Sequence, residues 1–497
     1  MKNPILLIED FKGGITLNKK LGRTDQFCFG RGLDFSSEAG YLTVGPAWTR
    51  TKNNVGGDFI ATEFTHILHC IKDNNAYFLG ENTIIYYLDG SGQIVLAADS
   101  DQTGVFKGAA EYESYLYYAQ NTTTGRKDLS LAYNAGYTHN WQTLNSADYH
   151  PMKVSVNKKL YIGNGNDVAS WDNTTFMASA LDLGDNWQIR CLDDFGHLYL
   201  AIGANYYTST YSSQKCKIFL WDRNSSSWND EIIIPESEIK AMKFYAGYLW
   251  VWAGKSCNLY IISEGSRIAT KILQFSREDP TVSFEVYPGA VLARRGTIFF
   301  GLSGGQAGLS GRRDYTNNSG IYSFPANPNQ FSLNMPFNGG DYIGNYDEFK
   351  GLGLVRDSGD EKIYASFENT AGGIICCERE KTKASELHYS STGEYFSFIF
   401  QSPKNKRIFT ESFGVTFDPL PTGCSIGLLY RTETGENNNA FTDFSTANAT
   451  EKKVYKKVRA DCLQLILKVR GAISGTNYSY RPFIKSLFVT GSLISKV

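Results

Sequence analysis

Leu198-Tyr199-Leu200-Ala201-Ile202-Gly203, a polar loop from Ala204 to Gln214, and Ile218-Phe219-Leu220-Trp221-Asp222 running on to Trp228 form the stretch that decides the fold. Two runs of β-favouring residues are parted by a loop rich in Tyr, Ser and Thr. Turn chemistry at Asp222 to Ser227 closes them, as expected for two strands of an antiparallel sheet.

The couple recurs. Its first strand appears at Ala76 to Gly80, Tyr115 to Ala119, Leu160 to Gly163, Leu198 to Ala201, Leu249 to Ala253, Ile298 to Gly301 and Ile363 to Ser366. Its second strand follows at Ile84 to Tyr87, Leu129 to Tyr133, Val168 to Trp171, Ile218 to Trp221, Leu259 to Ile262, Ile321 to Phe324 and Ile374 to Cys377. Several second strands run into Asp89, Asn134, Asp172 or Asp222, residues whose side chains make local hydrogen bonds in turns. First strands are spaced by roughly 40 to 65 residues, and a period near the lower end with several strands per unit is the mark of a β-propeller. A small twisted sheet with two apolar faces cannot bury both alone, and face-to-face packing around an axis buries both. Seven blades are expected, with six to eight accepted. Tandem β-sandwiches and a β-helix are the rival architectures. A closed ring shares one blade between distant parts of the chain, and Tyr41 to Val44 is expected to supply a strand to the blade holding Ile363 to Cys377.

The bulk numbers agree with an all-β chain of 497 residues: 42% apolar, 14% aromatic, 31 Tyr, 31 Phe, 48 Gly and only 13 Pro. The 49 basic and 50 acidic residues nearly cancel, so no global charge drives the chain to nucleic acid or an anionic membrane. Nine irregularly spaced cysteines, Cys376 and Cys377 adjacent, read as scattered buried thiols of a protein that folds in a reducing cytosol. The apolar run near Ile5 is too short for a signal sequence, and no stretch approaches a membrane span.

Three regions are expected: residues 1–60 as an opening segment contributing a closing strand, 61–380 as the propeller, and 381–497 as a β-sandwich. Near Glu380 the repeat stops, and period-two alternation takes over at Tyr395 to Phe400, Phe413 to Phe417, Ser425 to Arg431, Leu463 to Val469 and Pro482 to Val489. Long loops, Leu302 to Gly320 among them, interrupt the later repeats. Loops of this type emerge on one face of a propeller, so Tyr206, Tyr207 and Tyr211 are expected to share a surface with Arg312, Arg313 and Tyr315.

No catalytic constellation stands out. His66 and His69 lie three apart on a strand and face opposite ways. Asn164-Gly165-Asn166-Asp167 and Asp89-Gly90-Ser91-Gly92 read as tight turns, since the full calcium-loop pattern is absent. The Ser-x-Asp-x-Gly-x-x-Trp turn of sialidases has no good copy. Glu278-Asp279 and Asp360-Glu361 read as turn or surface acids. No nucleophile elbow or phosphate loop appears. The expectation is no enzyme, no metal and no cofactor. Lys452, Lys453, Lys456, Lys457 and Arg459 form a basic run, read as a solvated strand and loop or as a surface for nucleic acid or an acidic neighbour.

Phe11-Lys12-Gly13-Gly14-Ile15, Gly32-Leu33-Asp34-Phe35 and Gly40-Tyr41-Leu42-Thr43-Val44-Gly45-Pro46 resemble the opening of propeller-type tail proteins of tailed bacteriophages. The terminal strands from Ser425 onward are similar to the β-sandwich that ends many of them. The Lys19-Lys20 pair and the sixth repeat's long loops have no counterpart there. The resemblance implies a structural virion tail subunit, such as a nozzle extending a short tail. It implies self-assembly into rings, often hexameric, around the DNA exit channel, neighbouring tail or adaptor proteins, and transient contact with exiting DNA. Its place would be the virion, after folding in the host cytoplasm. The rival expectation is a receptor-recognition module whose Tyr206, Tyr207, Tyr211 and Tyr315 stack on sugar rings; a glycoside hydrolase ranks below both.

Overall fold

The computed structural model describes residues 4–9, 11, 27–31, 33–34, 41–44, 48–53, 63–100, 104–206, 215–275, 284–304, 319–326, 334–337, 348–357, 360–369, 372–378, 392–397, 399–420, 424–432, 435–437, 450–471 and 482–495. They form two compact units, one of residues 50–320 and 339–377, the other of residues 1–49, 321–338 and 378–497.

The first unit is a β-propeller, and seven small sheets can be followed along the chain. Their innermost strands are Phe64–Cys70, Phe106–Tyr112, Met152–Val154, Trp187–Phe195, Ile239–Tyr245, Val291–Arg294 and Glu348–Asp357. Each blade then steps outward through consecutive antiparallel strands. The apolar runs conspicuous in the sequence are the second strands, not the innermost ones. Second strands lie between two neighbouring blades and are buried on both faces, as in Tyr115–Gln120 and Leu160–Asn164. Innermost strands carry polar residues, as in Phe64–Cys70, where Thr65, His66 and His69 are partly exposed between buried apolar ones. Tight hairpins join the two, and Ala246-Gly247 and Arg295-Gly296 both adopt left-handed backbone, the pairing a type I′ turn requires.

The core lies between blades. Leu116, Tyr118 and Leu129 of the second blade pack on Tyr77, Leu79 and Ile85 of the first. Leu200, Ile202 and Phe219 of the fourth pack on Tyr161 and Val168 of the third. The ring closes where Val355, Tyr364 and Ile375 of the seventh blade join Phe64, Phe78 and Tyr86 of the first, and Phe64 N donates to Ser366 Oγ at 2.7 Å across 302 residues of chain.

Two readings are corrected. The closing strand is not Tyr41 to Val44: Leu42 bridges to Ile484, and Thr43–Val44 pairs with Leu33–Asp34. Trp48–Arg50 is instead the fourth strand of the seventh blade, and Lys52–Asn53 runs parallel to Gln93 and Ile94 at the edge of the first. In the second blade, the third strand is Thr123–Asp128, not Leu129 to Tyr133. That strand is polar in sequence yet buried, because aromatic rings cover it. A Cβ on Gly125 would fall 2.3 Å from Tyr118 Cε2, so the tyrosine ring lies flat over the glycine. Arg126 sits 4.6 Å from the Tyr115 ring centroid, and Lys127 lies over Tyr77 and Tyr137. The turn acid is therefore Asp128, not Asn134, and its Oδ1 accepts from Ser130 N at 2.9 Å.

The other unit holds two facing sheets. One orders Pro4–Ile8, Ile484–Ser495, Lys406–Phe417 and Glu451–Tyr455, with Arg459–Ala460 also on Lys406–Phe417. The second orders Phe27–Arg31, Thr392–Ser397, Cys462–Arg470, Ser425–Thr432 and Gly435–Asn437. Phe413 of one stacks on Tyr430 of the other at 4.8 Å, inside the apolar layer of a sandwich. Strands from both the beginning and the end of the chain thus share each sheet.

Candidate functional site at the propeller axis

Five innermost strands begin with the same irregularity. Register shifts by one residue between Phe64 and His66, Phe106 and Gly108, Ile189 and Cys191, Ile239 and Ala241, and Phe349 and Gly351. The extra residue of each bulge is Thr65, Lys107, Arg190, Lys240 or Lys350. A bulge leaves its residue outside the ladder and re-aims its side chain, and here four of five are cations beside the axis.

Their partners are close. Lys350 Nζ lies 2.5 Å from Glu63 Oε2 and 2.7 Å from Glu81 Oε1. Lys240 pairs with Glu285, and with Glu238 at 3.2 Å. Arg190 reaches the other Glu285 oxygen at 3.3 Å, donates from Nε to the Lys240 carbonyl at 3.4 Å, and lies 3.6 Å from the Tyr149 ring centroid. Lys107 Nζ donates to the Ala147 carbonyl. Burial alone would lower the Lys240 pKa, but Glu285 and Glu238 outweigh it, and the ammonium stays above the ordinary lysine value. Lys350 shows the same balance, with Glu63 and Glu81 as the raising partners.

Backbones also approach one another closely around these strands. A Cβ on Gly351 would lie 2.4 Å from the Phe64 carbonyl oxygen, one on Gly289 1.9 Å from the Thr65 carbonyl oxygen, and one on Gly108 1.7 Å from the His150 carbonyl oxygen. Gly289 belongs to the short 3-10 turn Pro288–Ala290 ahead of the sixth blade. Only glycine admits such approaches.

Chemically this cluster is mostly ion pairs: Arg190, Lys240 and Lys350 meet carboxylates, while Lys107 meets a carbonyl and Arg190 Nη1 is buried without a hydrogen-bond partner. The thiols near it are poor nucleophiles, since burial pushes Cys191 up to about 12 and Cys257 well above the ordinary range. Among the described residues no three His, Cys, Asp or Glu side chains gather to hold a metal. His66 and His69 both lie on Phe64–Cys70, and His66 Nδ1 is 2.9 Å from Thr65 Oγ1. Cys70, Cys191, Cys216 and Cys257 are buried free thiols.

Of the loop residues singled out in the sequence, Tyr206 ends the strand Tyr199–Tyr206 and packs edge-on to Trp187 at 5.3 Å. Tyr207, Tyr211, Arg312, Arg313 and Tyr315 lie outside the described residues, as does any surface they would share. The basic run spans Glu451–Tyr455, the link after it and Arg459–Ala460 of the sandwich unit, with Lys453, Lys457 and Arg459 exposed and Lys452 and Lys456 half-buried. Sequence reading missed the axial cations. Their signal is the recurring triplet of a large apolar residue, a basic residue and a small residue: Phe106-Lys107-Gly108, Ile189-Arg190-Cys191, Ile239-Lys240-Ala241 and Phe349-Lys350-Gly351.

No family model matches the chain, and no curated protein matches it. Solved structures similar to it include the computationally designed Ika8 protein, at 13% identity and TM-score 0.41 over 76% of this chain and 99% of that one. A chain of the Mitotic Checkpoint Complex aligns at 11% identity and TM-score 0.45, over 68% and 95% of the two chains. The Myceliophteria thermophila Cps50 (Swd1) β-propeller domain aligns at 11% identity and TM-score 0.44, over 67% and 100%. At these values the comparisons concern the fold alone.

Proposed function

We propose that this chain is a structural subunit of a tailed-phage virion tail, assembling into a nozzle-like ring around the DNA exit path. The observation that carries the reading is the axial cluster. Arg190, Lys240 and Lys350 pair with carboxylates where the backbones of the inner strands approach closely, an arrangement that suits a rigid scaffold. The resemblance of the segments from Phe11 to Pro46 and of the terminal strands to tail proteins supplies the tail assignment. In this reading DNA passes between protomers, through the centre of the ring, and never through a propeller's own axis. Neighbouring tail or adaptor proteins are its partners, and the free buried thiols suit folding in a reducing host cytoplasm before incorporation into the virion.

Negative-stain microscopy of the purified chain, with mass spectrometry of purified particles, tests it. Rings of uniform size and the chain's peptides in particles are expected. A chain absent from every particle and monomeric at high concentration overturns the reading, and selective binding to a glycan array would then favour receptor recognition.

A further inference from the structure

The exposed strip of the sandwich edge carries a pattern that folding does not explain. Along Glu451–Tyr455 and on to Arg459, alternate residues point outward: Glu451, Lys453, Tyr455, Lys457 and Arg459 are exposed, while their neighbours are half-buried. Tyr455 is 82% exposed, an extreme for a large aromatic side chain, and cations stand on either side of it. Glu451–Tyr455 pairs on one side with Lys406–Phe417 and is the last strand of its sheet among the described residues. Lysines alone would be accounted for as guards against edge-to-edge pairing. A solvated tyrosine between them does the opposite of guarding.

We propose that this strip binds single-stranded nucleic acid, with Tyr455 stacking on a base and Lys453, Lys457 and Arg459 tracking the backbone phosphates. Charge complementarity selects a polyanion: residues 451–460 hold five cations and one acid in a chain that is otherwise nearly neutral. Lys457 and Arg459 make no ion pair among the described residues. Lys453 meets Glu451 at 2.7 Å and also lies 5.0 Å from the Phe488 ring, so its ammonium is held along the sheet surface. Arg459 lies 5.8 Å from the Phe409 ring, extending the same surface. Lys453 and Tyr455, alternate residues of one strand, stand ~6.7 Å apart, and Lys457 and Arg459 continue the exposed side beyond that strand's end. The exposed ring favours unpaired bases over a duplex, because a base stacks on an aromatic side chain only when its face is free. The proposal does not depend on the tail assignment and is tested on the isolated chain.

Fluorescence anisotropy with a labelled oligothymidylate reads it directly. Binding is expected at low salt, with Tyr455→Ala weakening it about ten-fold. Lys457→Gln is expected to reduce the slope of log affinity against log salt by about 0.7. Both side chains are exposed, so circular dichroism should show each variant folded as the parent is. Absence of binding at low salt overturns the proposal. So does binding that neither substitution changes, a duplex of equal length bound as tightly with Tyr455→Ala without effect, or equal displacement by polyglutamate, which would point to an acidic protein.

Discussion

Arg223 sits in a surface-seeming turn and has left-handed backbone, φ 69°, yet its guanidinium is buried. Nε donates to Ser155 Oγ at 2.7 Å. Nη1 donates to the carbonyls of His197 and Leu198, at 3.2 and 3.0 Å. Nη2 donates to Asp194 Oδ1 at 2.8 Å and to the Tyr199 carbonyl at 2.7 Å. One side chain thereby ties the fourth blade's outer turn to its inner hairpin and to the third blade. Arg223→Ala should cost about 1–3 kcal/mol in urea denaturation, because it removes the guanidinium's hydrogen bonds to Asp194 and three carbonyls, while Lys153 at 3.5 Å and Ser155 Oγ still meet the Asp194 carboxylate. Arg223→Lys should restore little of that, since an ammonium lacks the planar fork; full restoration would mean charge alone matters. The sequence marked Arg223 only as a turn residue, for its partner Ser155 lies 68 positions away. Leu198 shows the converse: read as the start of a strand, it is 72% exposed at the hairpin tip, and the strand begins at Tyr199. Hydrophobicity cannot separate a strand's first residue from the last residue of its turn. His66 allows a second test at this scale. Burial lowers its pKa to about 4, so between about pH 6.5 and that value the unfolded chain takes up a proton that the folded chain refuses. The histidine's contribution to stability is complete above that window and is lost as pH falls through it. Thermal melts at pH 7 and pH 4.5 should show the parent losing more stability than His66→Gln; equal losses would show that His66 is not held neutral.

At the scale of elements, legibility followed burial. Second strands are covered on both faces and must be apolar and aromatic, so their recurrence exposed the blade count. Innermost strands line the axis, carry bulged cations, and look like ordinary polar segments. The turn acids were legible where a strand ends on them: Asp89 Oδ1 accepts from Ser91 N and Gln93 N, Asp172 Oδ1 from Thr174 N and Thr175 N, and Asp222 Oδ1 from Asn224 N and Ser225 N. The second blade misled because its third strand, Thr123–Asp128, is buried by rings and not by its own side chains. Its neighbour Leu129 to Tyr133 has the better strand composition, yet Leu131 and Tyr133 are exposed. The bulge triplets could have been found by searching for a basic residue between a large apolar one and a small one, at the blade period. The axial ion pairs could not, since Glu285 lies 45 positions from Lys240 and Glu63 lies 287 from Lys350.

At the scale of the whole molecule, the question is how a ring made from one chain stays shut. Packing between the seventh and first blades supplies one answer, through Phe64, Phe78, Val355 and Tyr364 and the Lys350 ion pairs. The short segment Trp48 to Asn53 supplies another. It forms the outer strand of the seventh blade, then turns at Thr51 and lies against the outer strand of the first. That a distant early segment should complete a blade was legible from closure alone, but its address was not. Tyr41 to Val44 has the β-favouring composition, whereas Trp48 to Asn53 is mostly polar and is recruited by backbone pairing. Thr51 is 3% exposed, and its N–H donates to the Ile375 carbonyl at 2.9 Å. Thr51→Pro deletes that donor and leaves the Ile375 carbonyl unpaired. The expected cost is about 1–3 kcal/mol in denaturant unfolding. If the segment is a clasp, the cost should be concentrated at the seam. Hydrogen exchange should quicken in Gly372–Glu378 and Gln93–Asp99, the strands it covers, and leave the fourth blade's Trp187–Phe195 unchanged. Uniform quickening across all blades would show a ring that opens as one cooperative unit, with the clasp only one bond among many.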